Sequence, residues 1–297
     1  MTQNYSYSSS VKSRVSDELV NTYFIRPIAG LLVRTLYRTP LTPTHLTLAS
    51  TLAGVVAARL YLDGVALHTV LAGLCITLKD ILDSADGQLA RAKHLTSRGG
   101  RFLDSIGDFV VNLLVFPAIA VSLFESTHAP LTLVLGGLGF IGTTLRVSYH
   151  VFYQASYLHL QDAYPLNRIT EDIREEDRLE GMMTLRLQQV FQFLYGWQDR
   201  MMVRLDTWCR NGVTLNGESS TLWYADQRGL RLSGLIGLGT ELFVLTLFSI
   251  MNMLEWYLLF NVVVMNGIGI VSILYRKLIL AQRLTGRDSR SSWKDSR

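Results

Sequence analysis

Six apolar stretches of about 20 residues each decide what this chain can fold into. They cover 44–62, 66–85, 102–124, 131–153, 232–251 and 256–275. A helix needs roughly 20 mostly apolar residues to cross the hydrocarbon core of a bilayer. A helix also satisfies every backbone N–H and C=O within its own segment, which lipid demands. The pattern predicts an all-α, polytopic membrane protein with six transmembrane helices. Composition agrees: 49% of the 297 residues are hydrophobic and 18% charged, too apolar for an ordinary soluble domain.

The connecting segments predict an orientation. The links YLDGVA, ESTHAP and MNMLEW hold no Lys or Arg. The other side holds Lys12, Arg14, Arg26, Arg34 and Arg38, then Arg91, Lys93, Arg98 and Arg101, then the long stretch 168–231 and finally Arg276, Lys277, Arg283 and Arg287. The positive-inside rule puts both termini and the loop after the second span in the cytoplasm of a cell (inner or plasma) membrane. The leading MTQNYSYSSSVKSR has no apolar core, so no cleavable signal peptide is expected there. Cys75 and Cys209 are read as reduced thiols. Membrane lipid is an expected partner and nucleic acid is not.

The chain divides into five expected regions. Residues 1–43 are a tail and a juxtamembrane amphipathic helix lying on the membrane surface. Packing of that helix on the bundle would fit the same pattern. Residues 44–155 hold spans one to four. Residues 156–231 are a cytoplasmic or interfacial helical insert. It opens with the solvated run NRITEDIREEDRLEG and continues with Leu187, Phe191, Leu194, Trp197 and Met201 near helical spacing. Residues 232–276 hold the last two spans. Residues 277–297 are a tail whose end, GRDSRSSWKDSR, reads as disordered.

Between the second and third spans lies DSADGQLARAKHLTSRGGRFLDSIGD, residues 83–108, with four aspartates. A carboxylate at the bilayer centre costs about 2.5–3.5 kcal/mol. Asp83 and Asp86 are three residues apart and Asp104 and Asp108 four apart, so each pair shares a helix face. The short turn between them makes the two helices antiparallel neighbours, and the pairs can converge. Four unpaired anions would repel one another. Hard divalent cations such as Mg²⁺ or its relatives, which take oxygen ligands, would relieve this. Gly87 and Ala90 lie on the stripe of Asp83, and Gly100 one turn before Asp104, leaving room for a bulky group. Arg91 stands at the same mouth with a guanidinium suited to phosphate. Together they predict a metal-and-phosphate site at membrane depth, suited to phosphoryl transfer on a lipid.

This stretch resembles the signature of the CDP-alcohol phosphotransferase family at Asp83, Asp86, Gly87, Ala90, Arg91, Gly100, Asp104 and Asp108. The upstream TPLTPTHLT is similar to the family's Thr-Pro-Asn lead-in, with Thr44 in place of Asn. Gly99 stands where bacterial members often carry Phe. The resemblance implies a six-helix membrane enzyme, usually a homodimer. It would transfer a substituted phosphoryl group from a CDP-linked donor to an alcohol acceptor and release CMP, and the first expectation is that the donor is the lipid CDP-diacylglycerol. It implies Asp83, Asp86 and Asp104 as ligands of Mg²⁺ or Mn²⁺, two ions in all. Asp108 would be the general base, placed to touch the second ion as well. Gly87, Ala90 and Gly100 would admit the cytidine diphosphate close to the backbone, and Arg91 would hold this part of the site. Nothing carries over to the insert.

Other charged residues have plainer readings. Asp80 is expected to pair with Lys79 or another cation rather than to support the motif acids from behind, Lys93 and His94 to be solvated, and Arg59 to snorkel outward. Arg146 is expected to bind a phosphate or to snorkel, and Trp197 and Trp223 to anchor at the interface. Two other functions compete. One is transfer from a small CDP-alcohol to a lipid or polyol hydroxyl, which labelled donors would separate. The other is a divalent-cation transporter, which metal flux into vesicles without CMP release would reveal.

Overall fold

The computed structural model describes residues 17–161, 171–173, 175–179 and 181–284. MTQNYSYSSSVKSR, GRDSRSSWKDSR and part of the acid-rich opening of the insert lie outside them. All regular structure among the described residues is helical. A π turn at Asn21–Ile25 runs into α1 (Arg26–Leu36). The long helices α2 (Pro43–Leu62), α3 (Ala66–Ala92), α4 (Arg98–Thr127) and α5 (Pro130–Leu160) follow. The insert holds the short α6 (Glu175–Leu179), α7 (Met182–Cys209) and α8 (Gly217–Tyr224). The chain closes with α9 (Gln227–Gly234), α10 (Leu238–Ile250), α11 (Leu254–Phe260) and α12 (Asn266–Leu274), with π turns before and after α12.

The chain is a multi-pass membrane protein, with one correction to its spans. Five helical stretches are long and apolar enough to cross a membrane, rather than six: Pro43–Leu62, Arg98–Thr127, Pro130–Leu160, Gly217–Ile250 and Leu254–Leu284. The expected second span is a continuous helix, α3, but it carries Lys79, Asp80, Asp83, Asp86 and Arg91. Helix α3 packs against α1, α2 and α10 instead of standing alone in lipid, and its polar half lies against α1 and α2 through Ala85 and Leu89.

The bundle core joins α2, α3, α4, α10 and α11 through Tyr61, Ile76, Phe116, Ile119, Leu245 and Tyr257, all buried. Small residues set the approach of α2 to α4. A Cβ on Gly54 would lie 2.4 Å from Val111, and one on Gly107 2.5 Å from Thr51. The α2 N-terminus is capped by Thr42 with Pro43 in the first turn. Its lead-in is pinned by Lys93, which is not solvated as expected: Nζ donates to the carbonyls of Thr39 and Leu41 at 2.8 and 2.7 Å.

Helix α1 buries Ala29 and Val33 against α3 while Ile28 and Leu31 stay exposed. Just before it, the buried Glu18 carboxylate accepts from Thr240 N at 2.6 Å and Gly239 N at 3.3 Å, at the start of α10. Burial pushes Glu18 up to about 7.

The insert is docked on the bundle. Helix α7 packs on α4 and α5. Its acid-rich lead-in is not simply solvated. Glu171 and Asp177 are buried and pair with Arg98 at 2.9 and 3.2 Å, and Glu171 also with Arg101 at 2.6 Å. Asp206 anchors the far end of α7. It accepts from Trp223 Nε1 at 2.7 Å, Tyr153 Oη at 3.0 Å and Tyr224 Oη at 3.1 Å, and it pairs with Arg210 at 2.9 Å. Trp223 is therefore a buried anchor of the insert rather than an interface residue, while Trp197 is exposed.

Candidate active site

The turn 93–97 reverses the chain between α3 and α4. His94 takes the left-handed conformation (φ 56°), and Ser97 caps α4 by accepting from Gly100 N at 3.0 Å. The helical repeat then brings three of the four aspartates together. Asp83, Asp104 and Asp108 each offer a carboxylate oxygen within 4.8 Å of the others. Asp86 stands apart from that trio. It is buried and accepts a hydrogen bond from Thr47 Oγ1 on α2.

The residue missed by sequence reasoning is Lys79. It is buried, its Nζ forms an ion pair with Asp108, and it lies 3.7 Å from Asp83. It does not pair with Asp80 as expected. One ammonium among three clustered carboxylates leaves a negative site of hard oxygen donors. That donor set fits Mg²⁺ or Mn²⁺. Asp83, Asp104 and Asp108 would hold such an ion, with Asp86 one helical turn along α3.

The small motif positions leave space. A Cβ on Gly87 would meet only the Arg91 guanidinium, at 3.4 Å, and one on Gly100 only the capping Ser97 hydroxyl, at 3.0 Å. Ala90 and Arg91 follow on the last turn of α3, both partly exposed. Arg146, by contrast, is neither a phosphate ligand nor a snorkelling residue. Its guanidinium is buried against Glu241 at 2.8 Å and donates to Thr143 and Asn266. Glu241 also accepts from Tyr257 at 2.7 Å and Asn261 at 2.6 Å. A low-dielectric interior forces that charge to be matched internally. Arg59 faces outward and pairs with Asp63.

A cavity of about 270 Å³ opens beside the acids, between α4, α5 and α7. Asp104, Asp108 and Asn112 of α4 face Tyr195 and Asp199 of α7 across it. Tyr195 Oη donates to the Ser105 carbonyl at 2.8 Å, which fixes α7 against α4 at this point. Burial, and then the nearby carboxylates of Glu171 and Asp172, push Asp199 up to about 7. The sequence offered no signal for this wall, because α7 lies outside the motif.

The comparisons fall on the same helices. Residues 40–161 match the family model described as CDP-alcohol phosphatidyltransferase. Over 108 residues the chain is 32% identical to the bifunctional IPC transferase and DIPP synthase of Thermococcus kodakarensis, covering 36% of this chain and 23% of that protein. Over 92 residues it is 41% identical to inner membrane protein YnjF of Escherichia coli, covering 31% of this chain and 42% of that protein. The matches thus span less than half the length of these curated relatives. The matched segment contains all eight motif positions and the acidic site between α3 and α4. The family match is thus confined to residues 40–161, the segment that holds α2 to α5 and the acidic site.

Proposed function

We propose that this protein transfers a phosphatidyl group from CDP-diacylglycerol to the hydroxyl of an alcohol, releasing CMP, with Mg²⁺ or Mn²⁺ as cofactor. The carrying observation is the convergence of Asp83, Asp104 and Asp108 within 4.8 Å on the segment that matches the family. The transferase named in the archaeal relative supports the same class of chemistry.

Asp83, Asp86, Asp104 and Asp108 are assigned as metal ligands, Asp108 touching the second ion. When bound, two divalent ions would neutralise the diphosphate and the departing CMP. Gly87, Ala90 and Gly100 leave the donor's diphosphate room beside the backbone, and Arg91 sits at its edge. Asp108 takes the proton of the acceptor hydroxyl. The acceptor oxygen forms a bond to the donor's lipid-linked phosphorus as the bond to CMP breaks. A hydroxyl is a poor nucleophile at neutral pH, so a base within hydrogen-bond reach is required. The Lys/Arg-rich side carries the site and is assigned to the cytoplasm, where CDP-linked donors meet water-soluble alcohols. A homodimer belongs to the same reading, on the family resemblance.

The test is CMP release by the purified protein. CDP-diacylglycerol and a small CDP-alcohol are each offered with Mg²⁺ or Mn²⁺ across a panel of alcohols. Release from CDP-diacylglycerol that EDTA abolishes, and that Asp108→Asn lowers at least about a hundredfold, is expected. Full turnover in Asp108→Asn would remove the base assignment. Release only from the small donor would reverse the donor and acceptor roles.

A further inference from the structure

We infer that the outward face of α7 is a docking surface for anionic phospholipid headgroups, which hold the insert against the membrane. Three observations lead there. First, the face is cationic and carries no acid. At about 100° per residue, Arg186, Phe193, Trp197, Arg200, Arg204 and Trp208 fall within an arc of about 80° on α7. All six are exposed. The two acids of α7, Asp199 and Asp206, stand on the opposite side, toward the cavity and the bundle. None of the three arginines makes a hydrogen bond or ion pair with another described residue, although the Arg200 charge eases ionisation of Asp199 next to it. Arg200 and Arg204 are four apart, so they repel each other on the helix surface. An anion between them reverses that sign.

Second, α7 lies at headgroup level. Its inner face meets α4 through Phe191 on Phe102, at 5.1 Å between ring centroids, and through Tyr195 on the Ser105 carbonyl and the Phe109 ring. It meets α5 through Gln198 on Ser148 and Asp206 on Tyr153. These contacts fall on residues 102–109 and 148–153, bands of about 8–10 Å along helices that cross a membrane, whereas α7 is about 42 Å long. Helix α7 therefore runs across the Lys/Arg-rich ends of the spans rather than alongside their full length. On α4 this band ends where the charges end: Asp108 is followed by the uncharged run 109–124. Residues 102, 105 and 109 share one flank of α4, so the opposite face of α7 points sideways into the surrounding headgroup layer.

Third, the residue types suit that layer. Phe193 is 82% exposed and Trp197 48%, which is costly in water and favourable at a lipid interface. Arginine stems can lie beside acyl chains while the guanidinium forks hold phosphate. At the end of the stripe Lys277 lies 4.4 Å from the Trp208 ring and adds a further cation. A second copy of the chain suits the face less well, because a two-fold contact through it would bring the same arginines together.

The test uses the full chain in phosphatidylcholine nanodiscs that hold an equal minor fraction of either brominated phosphatidylglycerol or brominated phosphatidylcholine. Trp197 emission is read as the difference between the unsubstituted protein and Trp197→Phe. Brominated phosphatidylglycerol is expected to quench it at least about twofold more than brominated phosphatidylcholine. Raised salt should shrink that excess, an arm that needs no further variant. The combined variant Arg186→Gln, Arg200→Gln, Arg204→Gln should abolish the excess with Tm unchanged. Equal quenching by the two lipids, or an excess that neither salt nor the arginine substitutions reduce, overturns the inference. Quenching by neither lipid also overturns it, and disulfide formation between copies of Phe193→Cys would then give the face to a second copy. None of these outcomes bears on CMP release, so the phosphotransferase reading is tested separately.

Discussion

Lys79 gives the sharpest test of how the acid cluster is balanced. Its Nζ lies 3.7 Å from Asp83 and pairs with Asp108, and the lysine side chain is 3% exposed. At an effective dielectric of about 20, one such contact is worth about 4 kcal/mol before solvent screening. Asp83 and Asp108 are 25% and 19% exposed, so water removes part of this. Lys79→Met keeps the length and apolar stem of the side chain but leaves three carboxylates within 4.8 Å and no cation. Breaking a buried pair from one side costs about 3–5 kcal/mol. With screening, we expect a loss of about 3 kcal/mol in metal-free protein, seen as a drop in Tm of roughly 5 °C or more. Added Mg²⁺ would supply the missing charge. The Mg²⁺-induced rise in Tm should therefore be larger in Lys79→Met than in the unsubstituted protein. The assay is thermal unfolding of detergent-purified protein in EDTA and in Mg²⁺. Equal Tm in EDTA, or an equal Mg²⁺ shift in both proteins, would refute the charge balance described above.

Three further outcomes are expected. Arg146→Met strands the buried Glu241 carboxylate and should cost about 3–5 kcal/mol; adding Glu241→Gln should recover part of that in a double-mutant cycle. Asp206→Asn weakens the anchor shared by Tyr153, Trp223, Tyr224 and Arg210, so amide exchange should speed up across α7 and α8 and stay unchanged in α2. Glu18 titrates near 7 in the folded chain against 4.5 when free. The folded state holds its proton over that range and the unfolded state does not, so this group's contribution to stability falls as pH rises from about 4.5 to 7. The span is worth up to about 3 kcal/mol. Glu18→Gln should flatten that part of the pH profile, and an unchanged slope in thermal unfolding would count against it.

The acidic motif was legible because its spacing is local. Helical repeats of three and four residues put each pair of aspartates on one face, and α2, which packs on both α3 and α4, holds Asp83, Asp104 and Asp108 together. The Lys79 assignment failed on the same geometry. Residues 79 and 80 are adjacent on a helix and do not face each other, whereas 79 and 83 do. That i,i+4 relation was the available signal. The Arg146–Glu241 pair and the Glu171–Arg98 pair join residues 95 and 73 positions apart. One sequence carries no mark of such partners, so an intramembrane arginine read as a phosphate ligand or a snorkelling residue and an acidic run as solvated. The count of spans erred for a related reason. Hydropathy alone admitted α3, but its charges are tolerated because other helices surround them, which is a property of packing. Asp199 and Asn112 were invisible because their cavity is made only when the insert docks.

The most direct measurement is Mn²⁺ binding to the purified protein by electron paramagnetic resonance, for the unsubstituted chain and for Asp104→Asn. Saturable binding that weakens at least about tenfold in Asp104→Asn is expected of ions held between the acidic ends of α3 and α4. Identical Mn²⁺ titrations for the two proteins, or no binding in either, would contradict a metal-dependent active site at that junction.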